Sequence, residues 1–174
     1  MKSTNKLVIS ALLLSLCLVL PFFTGQIPEI GNMLLPMHFP VFIAGFVVGG
    51  PYAMIVGITA PLLRSMLWGM PILFPKALGM AFELAAYGLI SGLIFSKSKK
   101  DTKSIFTALI AAMLGGRTVW GVVTYIMFGI LGNPFTLSIF MTEAFVNSVL
   151  GITVQLIFIP LIISALKKSG TIKQ

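Results

Sequence analysis

Acidic side chains are nearly missing: Glu29, Glu83, Asp101 and Glu143 are the only four in 174 residues. Charged residues of both signs make up 9%, against about 25% in an ordinary globular chain. That is too little polar surface to cover a globule in water, so a soluble domain is excluded. Disorder is excluded by the same shortage, because disordered chains are polar and charged. A single cysteine, Cys17, lies in an apolar run and rules out a disulfide scaffold. The lone histidine, His38, makes neither a metal cluster nor a catalytic triad by itself. There is no G-x-x-x-x-G-K-[ST] loop, no G-x-S-x-G elbow and no H-E-x-x-H helix. ATP binding by that loop is therefore excluded, and an enzyme is poorly supported. Basic residues are not interleaved with aromatics on a polar face, which argues against nucleic acid.

What the chain does hold is hydrophobic surface. Hydrophobic residues make up 57%, and the mean hydropathy is +1.06. The apolar runs are continuous, which favours membrane helices over a barrel. They predict an all-α integral membrane protein, a single membrane domain over 1–174. Its spans fall near 7–23, 39–50, 52–68, 76–96, 104–131 and 138–166. A leader peptide would look similar at the N-terminus, but a first span is simpler in a chain this hydrophobic. Breaks fall in the polar stretch 24–32, which includes Gly25, at Gly49-Gly50-Pro51, at 68–75, and at Gly132-Asn133-Pro134.

Six spans place both ends on one side. With a cytoplasmic N-terminus, the inner segments carry Lys2, Lys6, Lys97, Lys99, Lys100, Lys103, Lys167, Lys168 and Lys173. These are nine of the twelve basic residues, as the positive-inside rule requires.

Five ionisable residues fall within or beside spans, where burial is expensive and function is the default reading: Arg64, Lys76, Glu83, Arg117 and Glu143. Arg64 and Arg117 lie about 20 Å from the inner starts of their helices, and Glu83 roughly 15 Å from its outer start. All five therefore belong to the middle or outer half. Helical spacing groups Lys76, Met80, Glu83 and Tyr87 on one face. It likewise groups Glu143, Asn147, Gly151 and Gln155; Arg117, Trp120 and Thr124; and Arg64 with Trp68. Four helices would then aim polar and aromatic groups into one outward-facing pocket. The plainer reading is that Glu83 and Arg117 pair and hold the bundle. His38 is either a loop or capping residue or a ligand contact. Three cations face two carboxylates, so an anionic ligand such as a carboxylate would balance the set. Small residues four apart (Ala11/Ser15, Gly45/Gly49, Gly88/Gly92, Ala108/Ala112) serve close helix packing, with Ala11/Ser15 the candidate for docking another subunit.

A series of short blocks runs from about 33 to 160: Pro36-Met37-His38-Phe39-Pro40-Val41, Ala44-Gly45, Gly49-Gly50-Pro51-Tyr52, Pro61-Leu62-Leu63-Arg64-Ser65, Gly69-Met70-Pro71, Phe82-Glu83-Leu84-Ala85-Ala86-Tyr87-Gly88, Gly116-Arg117, Gly151-Ile152 and Gln155. This pattern resembles the substrate-binding S components of energy-coupling factor (ECF) transporters, bacterial vitamin importers. The resemblance implies a six-helix bundle with cytoplasmic ends in the bacterial cell membrane, with no cofactor and no catalysis. It implies a pocket near the outer side, in regions that hold His38, Arg64, Glu83, Arg117, Glu143 and Asn147; the helical faces read above add Trp68, Tyr87 and Trp120 to the candidate set. It implies two kinds of partner, a transmembrane coupling (T) subunit and two cytoplasmic ATPases. Docking would use an Ala-x-x-x-Ala motif in the first helix, read here as Ala11-Leu-Leu-Leu-Ser15. The vitamin of first choice is pantothenate, then nicotinate or a pyridoxine-type compound. A stand-alone channel and a membrane-embedded enzyme are the rival classes.

Overall fold

The computed structural model describes residues 2–24 and 27–170; Gly25 and Lys173, used above, lie outside the described residues. The described chain is a bundle of helices: α1 (Ser3–Val19), α2 (Pro28–Leu34), α3 (His38–Val47), α4 (Gly50–Trp68), α5 (Leu78–Ser96), α6 (Thr102–Ile130), α7 (Leu137–Met141) and α8 (Val149–Lys168). A 3-10 turn, Leu20–Thr24, extends α1; a kinked turn, Leu73–Ala77, with Phe74 extended (φ −120°, ψ 129°), precedes α5, and a π-helical turn, Thr142–Val146, follows α7.

Among the described residues, five segments are long and apolar enough to cross a membrane: Ser3–Thr24, Glu29–Val47, Leu73–Ser96, Thr102–Ile130 and Val149–Lys168. The protein is therefore all-helical and multi-pass in character. Helix α4 has 19 residues, but its glycines, prolines, Tyr52 and Arg64 leave it less apolar than these five.

The second segment differs from the expected 39–50. Glycine, asparagine and proline made the stretch before it read as loop, yet residues 28–34 are helical. Pro28 suits the first turn, where its missing N–H has no partner to lose. Leu35 ends α2 in the left-handed region (φ 51°), its N–H donating to Gly31 O. Gly49 (φ 95°) makes the sharp turn between α3 and α4, a backbone state that essentially only glycine tolerates. Asp101 caps α6, Oδ1 accepting from the Ser104 N–H at 2.8 Å. The Ser104 hydroxyl and N–H bonds hold that carboxyl below the usual carboxylate range.

Helix α5 is the centre of the bundle, packed against α3, α4 and α6. Its contact with α3 and α4 is backbone to backbone. A Cβ at Gly57 would overlap the Leu84 backbone, one at Gly88 would overlap Ala53, and one at Gly92 would overlap Gly50. Gly45 meets Ser91 and Gly88 in the same way. Gly45, Gly88 and Gly92 thus serve internal packing, while Gly49 meets nothing within 4 Å and serves the turn. Phe42, Leu84, Leu109, Ile159 and Ile163 fill the core. On α1, by contrast, Leu7, Val8 and Leu12 are each more than 60% exposed, an apolar surface suited to lipid.

Candidate functional site

A polar centre is buried where α3, α5 and α6 meet. Glu83 stands a turn and a half into α5 and is 2% exposed. Its Oε1 pairs with Arg117 Nη1 at 2.8 Å and accepts from the Tyr87 hydroxyl at 2.7 Å. His38, at the start of α3, places Nε2 3.8 Å from the same oxygen. Tyr87 follows Glu83 by one helical turn, so both face inward. Gly116 makes room for the Tyr87 ring, which a Cβ there would overlap. Arg117 Nη2 donates to Ser148 Oγ at 3.0 Å, and Ser148 Oγ donates to Ala144 O at 2.8 Å. One buried charge pair therefore ties α5, α6 and the start of α8 together.

Beside this centre, between α6 and α8, lies a cavity of about 150 Å³. Tyr87 and Arg117 form its polar wall; Met113, Phe145, Ile152 and Leu156 are among its apolar ones. Gln155 also lines it, 1% exposed, with its Nε2 lacking a hydrogen-bond partner among the described residues. Both ring nitrogens of His38 are in the same position. A buried polar group left unsatisfied costs about 1–3 kcal/mol.

Of the residues expected to share a pocket, the structure brings together His38, Glu83, Tyr87 and Arg117, and leaves the others apart. Arg64 serves α1 instead: Nη1 donates to Leu18 O at 2.6 Å, near the end of that helix. Its guanidinium lies 4.9 Å from the Phe22 ring centre and 5.5 Å from that of Trp68. This is a C-terminal helix cap with aromatic cover. Trp68 packs on Phe22 and is 42% exposed. Trp120 belongs to an aromatic group with Phe135 and Phe140, centroids 6.0 and 6.1 Å away. It flanks a second, open groove of about 440 Å³ lined by Gly121, Tyr125, Phe135 and Phe140. Lys76 is exposed before α5. Glu143 and Asn147 are exposed and bond to each other at 3.1 Å.

The last two are displaced for a physical reason. A continuous helix over 138–166 would put Glu143, Asn147, Gly151 and Gln155 on one stripe. The π turn at Thr142–Val146 and the break at Ser148 (φ −108°, ψ 8°) change the register. The buried set becomes Ser148, Gly151 and Gln155. Ser148 had no signal in spacing alone. Gln155 did, as a lone amide in an apolar span.

Ala11 and Ser15 lie on the exposed face of α1, with Ser15 Oγ donating to Ala11 O at 3.0 Å. No curated protein and no solved structure gives a match to the chain. A family model described as "ECF transporter, substrate-specific component" matches residues 5–167.

Proposed function

The chain belongs to the substrate-specific components of ECF transporters, and from that premise we propose that it is the high-affinity binding subunit of an ECF-type importer for a small water-soluble vitamin. The observation that carries the ligand-binding part is the buried Glu83–Arg117–Tyr87 centre, two of whose members, Tyr87 and Arg117, border a cavity that Gln155 also lines. An apolar trio of similar volume would hold these helices at least as well, since a buried ion pair adds little net stability. Ionisable groups at that depth beside an empty space are a binding site's signature.

In this reading α4 is the sixth span, and both ends lie on the cytoplasmic side of a bacterial plasma membrane. Lys97, Lys99, Lys100, Lys103, Lys167 and Lys168 then gather at the inner surface, where the Lys167 ammonium donates to Lys100 O. A T subunit docks on the small-residue face at Ala11 and Ser15, and two ATPases drive release. The preference for a carboxylate, pantothenate or nicotinate, rested on a spare cation. Arg117 is engaged by Glu83 and Arg64 by Leu18, so pyridoxine-type vitamins stand level with both.

The test is ligand retention. The chain is purified alone in mild detergent and denatured, and the released small molecules are identified by mass spectrometry. One vitamin at stoichiometric yield is expected. An empty protein that also binds no vitamin by calorimetry sinks the proposal. Liposome flux without ATPases would show a facilitator, and a chemically altered ligand an enzyme. Ala11→Leu or Ser15→Leu is expected to spare binding and stop uptake in cells holding all subunits.

A further inference from the structure

Three membrane-spanning helices end together at one corner of the bundle: α5 at Ser96, α6 from Thr102 and α8 at Lys168. The turn between α5 and α6 is held by its own bonds. Ser98 Oγ donates to Phe95 O at 2.9 Å and accepts from the Lys100 N–H at 3.3 Å. Lys100 is left-handed (φ 54°), and its carbonyl accepts from the Lys167 ammonium, which ties the end of α8 to the turn. Six lysines are thereby gathered in one place: Lys97, Lys99, Lys100, Lys103, Lys167 and Lys168. Asp101 is the one acid in the turn, and its carboxylate caps α6. Lys97, Lys99, Lys103 and Lys168 are exposed and, among the described residues, form no ion pair. Orientation in a membrane asks only for basic residues in the inner segments; it does not ask three spans to bring them together.

Each of these helices carries an exposed apolar side chain just inside the lysines, on the same face. Leu93 precedes Lys97 by four residues, Phe106 follows Lys103 by three, and Leu161 precedes Lys168 by seven. The helical rise sets them about 5 to 10 Å deeper in the span than the charges. Cations at the surface with hydrocarbon directly beneath are the complement of a phospholipid, whose phosphate sits above its acyl chains. Charge then selects among lipids. A zwitterionic headgroup brings its own cation, whereas an anionic one brings the net negative charge this cluster lacks. We propose that the joined ends of α5, α6 and α8 bind an anionic phospholipid. Its phosphate lies on Lys99, Lys103 and Lys168, and its acyl chains run along Leu93, Phe106 and Leu161. A soluble acidic partner would match the lysines and leave the adjoining apolar side chains unused. This site is separate from the buried Glu83–Arg117 centre and does not rest on the vitamin-binding reading.

The experiment is native mass spectrometry of the purified full-length chain in detergent, with equal amounts of phosphatidylglycerol and phosphatidylcholine of matched acyl chains. At least about fivefold more phosphatidylglycerol is expected to stay bound, and the excess should shrink as salt is raised. Lys99→Gln, Lys103→Gln and Lys168→Gln combined are expected to bring the two lipids within about twofold of each other. Lys76→Gln, at the opposite end of α5, is expected to change nothing. Equal retention of the two lipids by the unmodified chain overturns the inference. So does a preference that survives the triple variant, which would leave the lysines to an acidic partner protein. Should the triple variant fail to fold, each single Lys→Gln change is still expected to lower the preference in part, and no effect from any of them overturns the inference.

Discussion

At the residue scale, the Glu83–Arg117 pair joins α5 to α6, and Arg117 also borders the cavity proposed to hold the ligand. These roles separate in a double-mutant cycle. Arg117→Met leaves a buried carboxylate without its cation, and Glu83→Gln leaves a buried guanidinium without its anion. Each is expected to cost about 3–5 kcal/mol. The double variant has neither charge and should recover most of that loss. Unfolding in detergent, followed by denaturant titration, measures all three. If the double variant simply sums the singles, the pair does not interact as described. Ligand binding should be lost in all three, including the double variant that unfolds normally. The sequence made this pair legible because ionisable groups in apolar runs are conspicuous. It did not make Arg64's role legible: its acceptor is a main-chain carbonyl 46 residues away, which no side-chain pattern records.

At the scale of elements, the glycines divide into two kinds. At Gly57 a Cβ would run into the Leu84 main chain, which cannot yield as a side-chain tip can. At Gly31, in α2, a Cβ would meet nothing within 4 Å. Gly57→Ala is therefore expected to destabilise by about 1–3 kcal/mol. Gly31→Ala should stabilise by about 0.4–1 kcal/mol through the unfolded chain. Equal effects at both sites would contradict the packing between α4 and α5. Four-residue spacing pointed to small-residue packing, but it did not separate these cases, because spacing names no neighbour. The same limit explains the last span. The four-residue spacing of Glu143, Asn147, Gly151 and Gln155 fits one straight helix, and the inserted π turn leaves no mark in that spacing. Hence Glu143 and Asn147 read as pocket residues and lie on the surface, and Ser148 went unnoticed.

At the scale of the whole molecule, helical class and the positions of most breaks were legible, because apolar runs of span length and Gly/Pro turns are local features. The segment before α3 was not, because its helicity depends on packing of α2 against α8, where Gly151 touches the Met33 and Leu34 main chain. The topology is open to labelling. Cys17 is buried, so single cysteines introduced elsewhere stand against a low background. In intact cells, Asn133→Cys is expected to react with a membrane-impermeant maleimide, and Lys99→Cys only after lysis. Labelling of both without lysis would rule out the six-span arrangement.

The glycine-lined contacts among α3, α4 and α5 also have a mechanical meaning. Helices that touch main chain to main chain have no side-chain layer to compress, so they deform as one stiff slab. The other flank is different: α6 and α8 face each other across open volume, bridged near one end by Arg117 and Ser148. Elastic compliance is therefore unequal across the bundle. Hydrogen exchange should be slow in the middle of α4 and α5 and faster along α8, with ligand slowing the stretches of α6 and α8 that line the cavity. The strain of admitting and releasing a ligand falls on the soft flank, and the slab keeps its shape through the cycle.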